Sequence, residues 1–277
     1  MYIPQFLSRL MTVLIFTSTF VCLSAQDEQI DKDFEPRSGQ PGKDVVWVPT
    51  PDVVVEKMLD MANVTSKDFV IDLGSGDGRT VITAAKRGAR ARGIEFNPNM
   101  VALSKKNAAD EGVSDKVEFI QGDLFEADLS QATVITMFLL PSINLRLRPL
   151  LLELKPGTRI VSNSFTMEDW TPDETSLNIE DCDSYCDALM WIIPAKVEGT
   201  WKTPQGELKL IQKYQMVSGT LKTGNKKMEI YSGRLNGYLL TFGANNKNYS
   251  GRVNGRNIEG TVNSDLGNSK WSATKIK

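Results

Sequence analysis

Residues 69–79 read Phe69-Val70-Ile71-Asp72-Leu73-Gly74-Ser75-Gly76-Asp77-Gly78-Arg79. A short apolar run ends in an acid and turns through three alternating glycines. It then opens into Thr80-Val81-Ile82-Thr83-Ala84-Ala85-Lys86-Arg87, which has the spacing of a helix. Strand, tight glycine loop and helix N-terminus, in that order, make the place where α/β folds hold nucleotide-like cofactors. A side chain at those glycines would keep a ligand off the backbone. The spacing discriminates between ligands. A G-x-G-x-x-G fingerprint would put its last glycine at position 79, where Arg79 stands, and the Gly-Lys-Ser/Thr ending of a phosphate loop is absent. Asp72 and Asp77 line the loop, and two acids suit a ligand with an amine and a sulfonium better than a pyrophosphate.

Two further acids follow at telling offsets. Ile94-Glu95-Phe96 closes a second apolar strand with a carboxylate about twenty residues past the loop, placed to accept from both ribose hydroxyls. Val117-Glu118-Phe119-Ile120-Gln121-Gly122-Asp123-Leu124 ends a third strand in another acid, suited to an adenine amino group. Gly-rich motif, ribose acid and adenine acid together resemble the class I S-adenosylmethionine (SAM) methyltransferases. The resemblance implies a Rossmann-like α/β sheet and a SAM site built from Asp72, Gly74, Ser75, Gly76, Gly78, Glu95, Asp123 and Leu124.

Flanking segments narrow it. They are Trp47-Val48-Pro49-Thr50-Pro51-Asp52, Leu139-Leu140-Pro141-Ser142-Ile143-Asn144, Leu154-Lys155-Pro156-Gly157 and Asp169-Trp170-Thr171-Pro172. The series is similar to the protein-lysine methyltransferases related to the archaeal broad-specificity enzyme and the mitochondrial ATP synthase c-subunit methyltransferase. It spans roughly residues 45–195, with Trp47 where the family more often has Tyr. The implied acceptor is a protein lysine. After the fourth strand, Phe138-Leu139-Leu140-Pro141 stands where methyltransferases of amide or adenine nitrogens carry Asn/Asp-Pro-Pro-Tyr. An apolar pocket suits a lysine amine that must shed its proton. Trp47, Thr50, Phe138, Leu140, Asn163 and Trp170 are the candidates for it, although each aromatic reads equally well as core. No catalytic acid or base is singled out. Two other readings stay open: a small-molecule or envelope acceptor, and a SAM-pocket binding protein without turnover.

The chain has 277 residues and no histidine, which excludes His-based triads, acid/base pairs and His-containing metal sites. Residues 1–25 read as a cleaved signal peptide, with Arg9 ahead of a nearly unbroken apolar run from Leu10 to Leu23 and small residues after it. Export to the periplasm is the expectation, and an uncleaved membrane anchor is the alternative. Residues 26–44 read as a linker. Cys182 and Cys186 either pair across a turn or remain free thiols.

Thr50 is expected to cap a helix that starts at Pro51, and strands and helices alternate from Phe69 onward, implying a parallel sheet. Ala132–Leu140 and Thr158–Phe165 are further strands, and Leu177–Ile179 with Ala188–Ile193 an antiparallel edge pair. From residue 196 the pattern becomes that of a small all-β meander or barrel, with strands expected at Lys196–Trp201, Glu207–Ile211, Lys227–Tyr231, Gly237–Phe242 and Asn257–Val262. Ser232-Gly233-Arg234-Leu235-Asn236-Gly237 recurs as Ser250-Gly251-Arg252-Val253-Asn254-Gly255. This segment carries 14 Lys/Arg against 5 Asp/Glu, whereas residues before it carry 18 against 29. A basic β domain fits an anionic envelope surface or its own acidic neighbour; nucleic acid is not expected as a partner.

Overall fold

A computed structural model of the chain describes residues 30–31, 34–265 and 267–276. Residues 1–25, expected to be a signal peptide, lie outside these residues, as does part of the expected linker.

The first half is a seven-stranded sheet flanked by helices. Its elements are α1 (Asp52–Met61), β1 (Phe69–Leu73), α2 (Arg79–Lys86), β2 (Arg90–Glu95), α3 (Pro98–Asp110), β3 (Val117–Gln121), β4 (Val134–Met137), α4 (Pro141–Leu151), β5 (Arg159–Asn163), β6 (Glu174–Ser176) and β7 (Ala188–Ile192). The strand order is β3-β2-β1-β4-β5-β7-β6, parallel from β1 to β5, with β7 antiparallel to β5 and β6 antiparallel to β7. Chain order reverses beside β1, so a crevice opens past the carboxyl ends of β1 and β4. Strands buried on both faces have no polar side to show, which is why Val70, Ile71, Leu73, Val134, Ile135 and Met137 run almost without interruption.

Local chemistry sets the helix ends. Asn97 caps α3 by accepting from the Asn99 amide at 2.9 Å, with Pro98 in the first turn. Gly88 follows α2 with φ +92°. The expected cap at Thr50 is corrected: Pro51 holds the N-cap position, no side chain caps α1, and the Thr50 carbonyl accepts from Arg79 Nη1 at 3.0 Å. The edge strand also shifts, from 177–179 to Glu174–Ser176. Asp173 starts the pairing early, its amide donating to the Met190 carbonyl and its carboxylate accepting from the Ile192 amide. Asn178 at φ +52° then ends it, and Ile179 turns into a loop closed by the Cys182–Cys186 disulfide.

Beyond Ile192 the chain forms an antiparallel barrel. Its strands are β8 (Gly199–Thr203), β9 (Gly206–Lys213), β10 (Met216–Thr223), β11 (Lys226–Glu229), β12 (Tyr231–Asn236), β13 (Leu239–Ala244), β14 (Lys247–Asn254), β15 (Asn257–Ser264) and β16 (Gly267–Lys275). β11 and β12 pair with successive parts of β10, so they serve as one staved position broken at Ile230. β9–β10 and β16–β8 pairing closes the ring at eight positions. The repeat marks β12 and β14, each ending in a glycine at φ +55° that makes the turn.

The two halves share a buried seam. Trp170 is fully buried and donates from Nε1 to Gln215 Oε1 at 2.9 Å, while Gln215 Nε2 donates to the Thr171 carbonyl at 2.7 Å. Trp170 also lies against Trp191 and stacks on Tyr214, with ring centroids 6.2 and 5.4 Å away. Lys213, Tyr214 and Arg148 converge on Asp169 and hold its carboxyl down to about 2.

Candidate active site

The glycine loop turns as its spacing demands: Gly74, Gly76 and Gly78 have φ of +75°, +54° and +84°. A methyl group at Gly76 would collide with Trp47 Nε1, so the indole lies directly on the loop. Gly78, at the N-cap of α2, faces Phe119 and Ser104 with no room for a Cβ. Ser104 Oγ donates to the Gly76 carbonyl at 2.8 Å and Asn107 Nδ2 to the Asp77 carbonyl at 2.9 Å, so α3 fixes the loop from below.

Glu95, at the end of β2, accepts from the Gly76 amide at 3.0 Å and from the Asn97 amide at 2.9 Å, one on each carboxylate oxygen. Both oxygens keep a lone pair for further donors. Asp72 is buried at the mouth of β1 and accepts from Thr136 Oγ1 at 2.6 Å. Burial pushes its carboxyl up to about 7; Thr136 opposes this, and the charges of Asp77 and Glu95 add to it. Arg79 neutralises Asp77 in a bidentate pair, its Nη2 2.6 Å from Oδ2.

These groups line one cavity together with residues 40–50, which lie across it as a strap. Asp72, Gly74, Ser75, Gly76, Glu95, Asp123 and Leu124 meet there, as do Trp47, Thr50 and Phe138. Gly78 sits just behind, under the helix start. Asp123 is already engaged: Lys43 of the strap pairs with its Oδ2, and the Phe125 amide donates to Oδ1 at 2.9 Å. Three expected pocket residues lie elsewhere. Leu140 is exposed at the start of α4, and the neighbouring Leu139 faces the cavity instead, because one residue along an extended segment reverses the side chain. Trp170 belongs to the seam with the barrel. Asn163 is buried at the end of β5, its Oδ1 accepting from Ser164 and its Nδ2 without a partner among the described residues.

Sequence reasoning passed over Phe96, Lys43, Phe165 and Tyr185. Phe96 follows the ribose acid, stays half exposed and lines the cavity, with Lys43 Nζ 4.8 Å from its ring centroid. Its position directly after the strand-end carboxylate was the available signal. Phe138 packs beside Phe165 and Tyr185, with centroids 5.8 and 5.0 Å apart. Tyr185 comes from the disulfide loop, which no sequence pattern ties to β4.

The family model described as the ANTKMT methyltransferase domain matches residues 72–174. A protein-lysine N-methyltransferase of Saccharolobus islandicus is 46% identical over 50% of this chain and 86% of its own length. The chain belongs to the family of that archaeal protein-lysine N-methyltransferase. The human ATP synthase c-subunit lysine N-methyltransferase is 35% identical over 47% of this chain and 56% of its own length. Among solved structures, one described as an RNA methyltransferase from Salinibacter ruber, in complex with S-adenosyl-L-homocysteine, is 52% identical. It covers 54% of this chain and 96% of its own, with a TM-score of 0.50. The methyltransferase is therefore SAM-dependent and Rossmann-like. Its own residues fit that cofactor: a glycine cradle that any Cβ would fill, a strand-end carboxylate with free lone pairs, and an exposed aromatic face beside it.

Proposed function

We propose that this methyltransferase N-methylates lysine side chains of protein, and does so after export. The observation that carries the acceptor is the apolar exit of the cavity. Phe138 leads from the cavity to Phe165 and Tyr185, and no side-chain amide or acid stands at Phe138-Leu139-Leu140-Pro141. Glu180, Asp181, Asp183 and Asp187 surround Tyr185 in sequence, with no basic residue among them. Such a rim attracts a basic peptide and repels a phosphate backbone. The archaeal relative's name supports the same acceptor. The Cys182–Cys186 disulfide supports an oxidising compartment.

Bound at this site, SAM supplies a methyl group on a sulfonium, an electrophile with its leaving group in place. Glu95 would hold the ribose hydroxyls, Phe96 the adenine face, and the Gly74–Gly78 loop the amino-acid end, with Trp47 closing over it. Phe138, Phe165 and Tyr185 would exclude water around the incoming lysine stem and lower the ammonium pKa, leaving the free amine as nucleophile. Alignment in a dry site is the main contribution such a transfer needs.

The test uses labelled SAM with a lysine-rich protein extract, the same extract with its lysines acetylated, and total RNA. Label confined to unblocked protein, recovered as methyl-lysine, is the expected result. Label in RNA, or in acetylated protein alone, would refute the acceptor. A fusion of residues 1–30 to a reporter active only in the periplasm tests export; a silent reporter refutes it.

A further inference from the structure

The barrel has two different ends. The β9–β10 and β12–β13 turns face the mixed sheet, where Tyr214, Gln215 and Gly237 make their contacts. The β8–β9, β10–β11, β13–β14 and β15–β16 turns gather at the opposite end. Interior side chains divide in the same way. Near the sheet, Trp201, Leu210, Leu235, Leu240 and Ile258 are buried inside the ring. Towards the far end a cavity of about 230 Å³ remains, lined by Leu208, Phe242, Tyr249, Val262 and Trp271 together with polar residues such as Thr203, Gln205 and Asn245. An eight-stranded ring is wide enough either to fill with side chains or to hold one small ligand. This one does the first at one end and leaves space at the other.

The wall is rigid and aromatic. Phe242 and Tyr249 are cross-strand partners stacked 4.7 Å apart, and both meet the Trp271 ring edge-on at 5.7 and 5.6 Å. Trp271 is locked by donating from Nε1 to the Ser250 carbonyl at 3.0 Å. Lys226, Lys247 and Lys270 line the same cavity from three different strands, and none of them forms an ion pair among the described residues. The Tyr249 hydroxyl likewise has no hydrogen-bond partner among them. Lys226 and Lys270 are exposed and Lys247 is half-buried, so the cations stand at the solvent-facing rim beside the aromatic wall, a place for the head of an amphipathic anion.

We propose that the distal barrel cavity is a binding site for a small amphipathic anion, an acyl chain ending in a carboxylate or phosphate. The chain lies against Phe242, Tyr249 and Trp271, and the head meets the three lysines and the tyrosine hydroxyl. This site is separate from the methyl-transfer cavity and does not depend on the acceptor assigned there.

Calorimetric titration of the full chain with decanoate, with 1-decanol and with phosphatidylglycerol vesicles tests it. Decanoate is expected to saturate a single site and to bind more tightly than decanol. Replacing Lys226, Lys247 and Lys270 together by alanine should weaken decanoate by about tenfold, the scale of lost charge-assisted contacts, and hardly alter decanol. Val262→Phe, which narrows the cavity, should weaken both. Unchanged near-UV circular dichroism from the barrel's Trp201 and Trp271 shows that the barrel of each variant is folded. Failure of decanoate to saturate, insensitivity to the lysine or Val262 changes, or binding by vesicles alone would overturn the proposal.

Discussion

The buried Asp72 makes a prediction that can be worked through from its surroundings. Its carboxyl accepts from Thr136, faces the carboxylates of Asp77 and Glu95, and is pushed up to about 7 by burial. An ordinary aspartate in the unfolded chain titrates near 3.9. Between about pH 4 and 7 the folded protein therefore holds a proton that the unfolded chain has lost. Stability contributed at this position is present below pH 4 and is lost as pH rises through 7. The gap between the folded and unfolded values corresponds to roughly 4 kcal/mol. The chain has no histidine, so the measurement is made above pH 5.5, clear of the range of ordinary carboxylates. Asp72→Asn keeps an acceptor for the Thr136 hydroxyl and removes the ionisation. Urea unfolding without cofactor should show the wild type losing stability from pH 5.5 to 8.5 relative to the variant, and the variant the more stable at pH 8.5. The cofactor's cationic end should reverse the preference, so that wild-type SAM affinity rises through pH 7 and that of the variant does not. A wild-type stability curve parallel to the variant's would refute the reasoning.

Gly76→Ala places a Cβ against the Trp47 indole at a left-handed backbone position; S-adenosyl-homocysteine affinity measured by calorimetry should fall at least about tenfold. Cys182→Ser releases the loop that carries Tyr185. The KM for a protein acceptor should rise several-fold, the order of about 1 kcal/mol for ordering a side chain and its loop, with cofactor affinity unchanged. Gln215→Met leaves the buried Trp170 Nε1 without an acceptor, and denaturant unfolding should report a loss of about 1–3 kcal/mol.

The mixed sheet was legible because its information is local. Phe69–Leu73 is apolar throughout and followed by glycines, and Asn97-Pro98 states where α3 begins. That Glu95 and Asp123 line the cavity follows from equally local signals, since they stand at or just past strand ends at fixed offsets from the loop. The acceptor side was not. Phe138, Phe165 and Tyr185 come from three chain segments, and only tertiary packing brings them together. Leu140 and Leu139 differ by one residue, and periodicity cannot choose between them. Four barrel strands were missed: β10, β12, β14 and β16 place Gly219, Gly233, Gly251 and exposed lysines where an alternating apolar pattern was sought. Neighbouring strands crowd those glycines, so a Cβ at Gly219 would meet the Lys209 carbonyl. Close backbone approach removes the very side chains that would have announced the strand.

Closure of the barrel bears on how the molecule survives at high concentration. Strands of a ring satisfy each other's amides and carbonyls on both sides and offer no template to a second chain. The mixed sheet ends at β3 on one side and at the three-residue β6 on the other, and so short a margin gives little purchase for fibril-like stacking. A protein rich in strands is thereby left with few places where its copies could zip together.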